Sequence, residues 1–418
     1  MQHKIKKTKR PNEYIPWLIL ATFYLYQYIP RSSPCVLINE IRHNFHINAD
    51  QFALMGSMFY YGYGLMQIPL GIIVDRIGIR RTILASILVC RLTNTVFGLT
   101  DIPLVGYLSR FVFGLGAASA FMCSLKFVND YLPKHMQGLL IGATLTFGVT
   151  GALITGFPLN YLLKQIPDWR SAFFLIAAMG LVLWLFSYRF LPKVRKEPSE
   201  PFFTSILPNL LRLIKTKSIL IYACIAIALF LPLTVMADLW GSAFLMRKYG
   251  FSREVASPLL MNIYIGMAFG SITLPYLAGK FNILNKLIQL SIVSLFILFA
   301  ALVYVPDFSQ LSLTFLLISI GFFCGAEMLC FAAVLKNTNS KTSGLTIGVV
   351  NTLNMLSSAI LQHTVGIYLE LTWSGELSSN GLKIYSVKEF IEAFSILVII
   401  IGICATIACF ALNKKKKL

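Results

Sequence analysis

The chain has 418 residues, 57% of them hydrophobic and only 13% charged, with a mean hydropathy of +0.73. That composition excludes an ordinary soluble domain, in which roughly a quarter of the residues are charged. A net charge of +19 would suit nucleic acid, but the Lys and Arg residues gather in short breaks between apolar stretches and so mark one side of a membrane.

A bilayer core takes about 20 apolar residues per crossing helix. Twelve such spans are predicted, near 14–38, 51–73, 82–98, 103–129, 138–163, 170–191, 218–246, 254–279, 285–305, 309–335, 342–371 and 389–412. Lys4, Lys6, Lys7, Lys9 and Arg10 precede the first span, and that span carries Tyr24, Gln27, Tyr28 and Arg31. The second span bears Tyr60 and Tyr63 and ends in Pro69-Leu-Gly71-Ile-Ile-Val-Asp75-Arg76-Ile-Gly78-Ile-Arg80-Arg81, a tight charged turn. In it Gly71 is expected to let two helices approach and Gly78 to permit the reversal, while Arg76, Arg80 and Arg81 anchor the turn on the inner side.

The third span contains Arg91, the fourth Arg110 and Lys126, and the fifth Gly148, Gly151, Gly156 and Pro158. The longest charged interruption follows the sixth span, from Leu191 to about Lys217. Its prolines at 192, 198, 201 and 208 oppose one continuous helix, and residues 202–214 are expected to form an amphipathic helix on the inner surface. This divides the chain into an N-terminal bundle (1–192), a basic cytosolic linker (193–217) and a C-terminal bundle (218–418). In the second half come Asp238 on the seventh span, Asn262 and Tyr264 on the eighth, Glu327 on the tenth, and Asn351, Asn354 and His363 on the eleventh. Residues 414–417 are four lysines.

The basic segments place both termini in the cytosol by the positive-inside rule. With no N-x-S/T sequon and no cleavable leader pattern, the expected location is a cell inner membrane, crossed many times. Cys35, Cys90, Cys123, Cys224, Cys324, Cys330, Cys404 and Cys409 lie in the spans without metal or redox spacing and read as packing residues. No catalytic residue, metal or cofactor is expected, since nucleophile-elbow and phosphate-loop motifs are absent.

The Pro69–Arg81 turn resembles the signature loop of the major facilitator superfamily of transporters. Arg110-Phe-Val-Phe-Gly114-Leu-Gly116 and Asp168-Trp169-Arg170-Ser-Ala-Phe173 are similar to further patterns of that family. Gln67-Ile-Pro69-Leu-Gly71, Leu125-Lys126 and Leu239-Trp240-Gly241 resemble the branch of bacterial phagosomal nutrient transporters and the lysosomal dipeptide transporter. The fifth span partly resembles the antiporter motif, with Ala152 where that motif has Pro. The resemblance implies an all-α membrane protein of twelve transmembrane helices in two six-helix bundles. It further implies a central cavity lined by spans one, four, seven and ten, working by alternating access as a monomer. Gly71, Asp75, Arg76, Gly78, Arg80, Arg81 and Arg110 then form the gating and structural motif.

An ionisable side chain inside a bilayer costs roughly 2.5 to 3.5 kcal/mol on insertion scales, so each needs a partner or a watery cavity. Arg31, Arg110 and Lys126 put cations in the first half, while Asp238 and Glu327 put anions in the second. A zwitterion fits between them. Arg31 or Lys126 would meet its carboxylate and Glu327 or Asp238 its ammonium group, with Gln27, Tyr28, Asn262 and Asn351 orienting it. The competing readings are that Lys126 snorkels to the surface, Arg110 braces helix packing, Arg91 pairs structurally, and Asp238 or Glu327 forms a salt bridge between bundles. The expected function is transport of an amino acid or short peptide, with protons as candidate co-substrates in symport. The alternative is a proton-coupled exporter of amphiphilic compounds or a siderophore.

Overall fold

The computed structural model describes residues 14–165, 168–193, 210, 212–336, 338, 343–378 and 381–412. Twelve long helices are present among the described residues: α1 (Tyr14–Val36), α2 (Ala49–Ile77), α3 (Ile79–Leu99), α4 (Pro103–Tyr131), α5 (Lys134–Gln165) and α6 (Arg170–Phe190), then α7 (Lys217–Tyr249), α8 (Arg253–Phe281), α9 (Leu284–Tyr304), α10 (Gln310–Lys336), α11 (Ser343–Thr372) and α12 (Val387–Leu412). A short helix, Ile38–Phe45, joins α1 to α2. The predicted linker helix at 202–214 and the terminal lysine clusters fall mostly or wholly outside the described residues.

Ten of these helices are long and apolar enough to cross a membrane by composition alone. The other two, α1 and α2, are too polar to qualify, and burial explains why. Their polar residues turn inward: Gln27, Arg31, Ser32, Ser33, Ser57 and Gln67 are all buried. By contrast α6 leaves Leu175, Val182, Leu185 and Phe186 exposed, as a lipid-facing surface requires.

The two halves repeat one packing scheme. In the first, α1 packs on α5, α2 on α4 and α3 on α6; in the second, α7 packs on α11, α8 on α10 and α9 on α12. The halves meet where α2 lies along α11 and α5 touches α8, with α1 against α7 between them. Glycine permits the same crossing in each half. A Cβ on Gly114 would strike the carbonyl oxygen of Phe59 in α2, and one on Gly321 would strike that of Ile263 in α8.

The charged turn keeps its expected reversal at Gly78 but not the expected close approach at Gly71. Helix α2 runs through Asp75 and Arg76, α3 begins at Ile79, and the reversal is confined to Gly78 at φ 83°. A Cβ on Gly71 would meet no atom within 4 Å, so Gly71 is not a close-approach glycine. Tight packing of α2 lies instead against Gly114 of α4, where two backbones touch.

Candidate functional site

Proline shapes the middle of α1. Pro34 has no N–H, so the carbonyl of Pro30 one turn back lacks its helical donor. Arg110 supplies one, its Nη1 donating to Pro30 O at 2.6 Å, and Ser33 Oγ adds a second at 3.1 Å. Arg110 thus straps α4 to α1 beside Arg31.

Arg31 reaches across to the second half. Its Nε donates to Asp238 Oδ2 at 3.0 Å and its Nη2 stands 3.0 Å from the same oxygen, both side chains being almost wholly buried. The Tyr60 hydroxyl donates to Asp238 Oδ2 and the Tyr264 hydroxyl to Oδ1. Helices α1, α2, α7 and α8 therefore converge on one carboxylate. The guanidinium also lies 4.6 Å from the Tyr28 ring centre and 5.2 Å from that of Tyr60, which favours the cation further. Asp238 is held by a π-helical stretch, Pro232–Trp240, inside α7. The extra residue per turn alters the direction of the side chains that follow Pro232.

The second buried acid also sits at a break. Helix α10 turns at Gly325 and Ala326, and Glu327 opens its second segment. Asn354 Nδ2 of α11 donates to Glu327 Oε1 at 2.6 Å. Arg31 is close enough to act on Glu327 electrostatically. The two acids differ in their partners: Asp238 receives three groups, whereas Glu327 receives a neutral amide. On α1 and α11 several buried polar atoms have no partner among the described residues, namely both amide atoms of Gln27, Asn354 Oδ1 and Gln362 Oε1. An unsatisfied buried group costs about 1–3 kcal/mol, which a ligand offering matching groups would recover.

The other sequence candidates lie apart from this cluster. Lys126 is part-exposed at the far end of α4, 2.9 Å from Asp75 and 3.9 Å from Asp130. Asn262 donates to Leu259 O at 2.8 Å and caps the break in α8. Asn351 is half-buried, and Asn354 one turn on makes the contact to Glu327. Arg91 packs its stem against Gly180 of α6. Arg80 donates to Leu191 O at 2.6 Å and Tyr188 O at 2.5 Å, closing the end of α6. Gly148 and Gly151 seat α5 on Tyr24, Leu25 and Tyr28 of α1.

A latch escaped the sequence reading. At the end of the bundles carrying the α1–α2, α7–α8 and α11–α12 connections, Arg253 pairs with Glu40 across the halves. Glu370 of α11 receives Lys383, the Tyr385 hydroxyl at 3.0 Å and the backbone N–H of Ala49 at 3.4 Å. Arg42 donates to Lys383 O at 3.2 Å and Tyr385 Oη at 3.4 Å. In the sequence these residues look like ordinary loop charges, and only the folded chain brings Arg253 to Glu40 and Lys383 and Tyr385 to Glu370 and Arg42.

Residues 18–361 match the family model for the Major Facilitator Superfamily. Two curated relatives are the uncharacterized transporter YybO of Bacillus subtilis, 26% identical over 45% of this chain, and the probable sulfoacetate transporter SauU of Cupriavidus necator, 27% identical over 41%. The matched stretch spans less than half of either relative, 43% and 40%. Among solved structures, a bacterial homolog of the human lysosomal transporter Spinster, inward-facing and unoccupied, aligns with a TM-score of 0.75 at 16% identity, covering 97% of this chain and 98% of that one. The nucleoside transporter NupG, solved as a point mutant, aligns with a TM-score of 0.74 at 14% identity, covering 96% of this chain and 100% of that one. At those identities the structures bear on the fold. The family match over most of the chain goes further: this protein belongs to the Major Facilitator Superfamily.

Proposed function

We propose that the protein is a secondary transporter that moves a small zwitterion, an amino acid or short peptide, by alternating access. Its pocket is formed by Gln27 and Arg31 on α1, Glu327 on α10 and Asn354 on α11. The observation that carries this reading is the inequality of the two buried acids. Asp238 is held by Arg31, Tyr60 and Tyr264 and serves as the bridge between bundles, whereas Glu327, which receives only the neutral Asn354 amide among the described residues, is left for a substrate ammonium. Binding of a carboxylate to Arg31 would compete with Asp238 and loosen that bridge, which couples occupancy to rocking. The latch at Glu370 suits a state closed at that end and open at the end bearing the chain termini. The halves are assigned to 1–192 and 218–418, joined by 193–217. Both termini lie in the cytosol of a cell whose inner membrane holds the protein, and kinship with the phagosomal and dipeptide branch is part of the same reading.

The relatives favour a second one. Their names include a probable sulfoacetate, a hexuronate and a probable L-galactonate transporter, and each named solute is an organic anion. An anion beside Arg31 would require Glu327 to carry a proton, giving proton symport. One experiment separates the two: binding of amino acids, dipeptides and sugar acids to purified protein by thermal shift, repeated with Glu327→Gln at pH 5 to 8. Zwitterion binding abolished by Glu327→Gln supports the first reading. Anion binding that strengthens at low pH in wild type, and becomes pH-independent in Glu327→Gln, overturns it. Stabilisation by lipophilic cations alone overturns both.

A further inference from the structure

We infer that the α2–α3 junction binds a phosphate ester, carried by an anionic phospholipid headgroup or by a soluble phosphate. A cavity of about 520 Å³ opens at the end of the first bundle that bears the chain's N-terminus, away from the Arg31–Asp238 site. Arg76, Arg80, Arg81 and Lys193 line it, with Tyr131 and Tyr188. Arg76, Arg81 and Lys193 are exposed and Arg80 is half-buried, so the rim concentrates positive charge that an anion would offset.

Their engagement is uneven. Arg80 is committed to the carbonyls that end α6, at 2.5 and 2.6 Å, and lies 5.2 Å from the Tyr188 ring centre. Arg76, Arg81 and Lys193 make no ion pair or hydrogen bond among the described residues. The nearest acid on α2, Asp75, faces Lys126 at 2.9 Å, so it offsets a different cation. Helix α3 starts at this cavity without a side-chain cap, and its first main-chain N–H groups add to the positive potential. Arginine forks suit phosphate oxygens, and the two tyrosines give the rim an apolar body with a polar tip, as at a membrane surface. Basic pockets between helices at a membrane face bind lipid headgroups by this chemistry. The site is independent of what the carrier moves.

The test uses the full chain purified in neutral detergent, with binding read by native mass spectrometry against graded phosphatidylglycerol, phosphatidylcholine or inorganic phosphate. Variants are Arg76→Gln, Arg81→Gln and Lys193→Gln, and Lys286→Gln at the start of α9 is the control. The expected result is saturable binding of phosphatidylglycerol over phosphatidylcholine, weakened about fivefold by each of the three substitutions, following the ~1 kcal/mol that each basic residue contributes beside an anionic headgroup. The control should leave it unchanged. Inorganic phosphate binding with the same variant sensitivity, and no lipid preference, assigns the site to a soluble phosphate. Equal binding of both lipids and no phosphate binding, or a lipid preference that survives all three substitutions combined in one chain, overturns the inference.

Discussion

Arg31 and Asp238 lie 207 positions apart in the chain, yet their side chains meet 3.0 Å apart in a buried ion pair across the two bundles. Such a pair is a poor source of net stability, since desolvation offsets most of the attraction, but removing one partner strands the other. Asp238→Asn is expected to destabilise the protein by about 3–5 kcal/mol, because the Arg31 charge is left in an apolar setting. The double variant Arg31→Met with Asp238→Asn should lose less than Asp238→Asn alone. Thermal unfolding in detergent measures both, and a double loss equal to the sum of the singles would refute the coupling.

Tyr60 and Tyr264 donate to different oxygens of that carboxylate. Hydrogen bonds to a charged acceptor contribute about 1.5–3 kcal/mol, so Tyr60→Phe and Tyr264→Phe should each cost an amount in that range. Since both act on one anion, the double variant should depart from additivity, a difference read from a double-mutant cycle.

The Glu370 hub predicts a change in accessibility. Glu370→Gln weakens the contacts to Lys383, Tyr385 and the Ala49 N–H that hold the α11–α12 connection over α2. Cys35, fully buried near Met236 O on the other side of this latch, is a native reporter. With the remaining cysteines replaced by Ser, its modification by a water-soluble maleimide should accelerate about tenfold, as expected for losing one charged hydrogen bond of ~1.5 kcal/mol. An unchanged rate would remove the latch.

Glycine substitutions separate close approach from mere resemblance. Gly114→Ala and Gly321→Ala each put a Cβ into a neighbouring carbonyl and should lower folded yield sharply. Gly71→Ala meets nothing within 4 Å. It should be tolerated and gain up to about 1 kcal/mol from helix propensity. Size-exclusion profiles of the three variants are the measurement, and loss of folded protein in Gly71→Ala alone would reverse the assignment.

A pH effect follows from Asp101, between α3 and α4. The Asn44 side-chain amide, and then the Arg170 guanidinium, hold its carboxyl below the usual range. A depressed carboxylate contributes its stability at pH above the unfolded-state pKa, about 3.9, and loses it as pH falls through the folded value. The stability difference between wild type and Asp101→Asn should therefore be flat from pH 8 to 5 and shrink only below about pH 4. A difference that changes between pH 5 and 8 would contradict this.

Much of the architecture is legible from hydropathy, because a bilayer tolerates only helices that satisfy their own backbone and so writes each crossing as an apolar run. The runs locate α3 to α12 well. They locate α1 and α2 as well, although those two helices carry more polar residues and turn them toward the interior. Candidate residues were legible for a related reason: a charge in an apolar run is costly enough to stand out, and Arg31, Arg110, Asp238 and Glu327 all proved buried. Lys126 stood out by the same rule but lies part-exposed beside Asp75, since its position near a helix end lets a long side chain reach the surface.

What the sequence determined by itself was local and periodic: which segments are helices and where charge interrupts them. Pairing was decided by tertiary structure alone. Whether Asp238 or Glu327 would take Arg31 depends on how the π-helical stretch in α7 and the break in α10 direct their side chains. Nor does any local pattern in residues 373–386 indicate that Lys383 and Tyr385 meet Glu370 and Arg42. Partners so distant in the chain are brought together by packing, and packing is a property of all twelve helices at once.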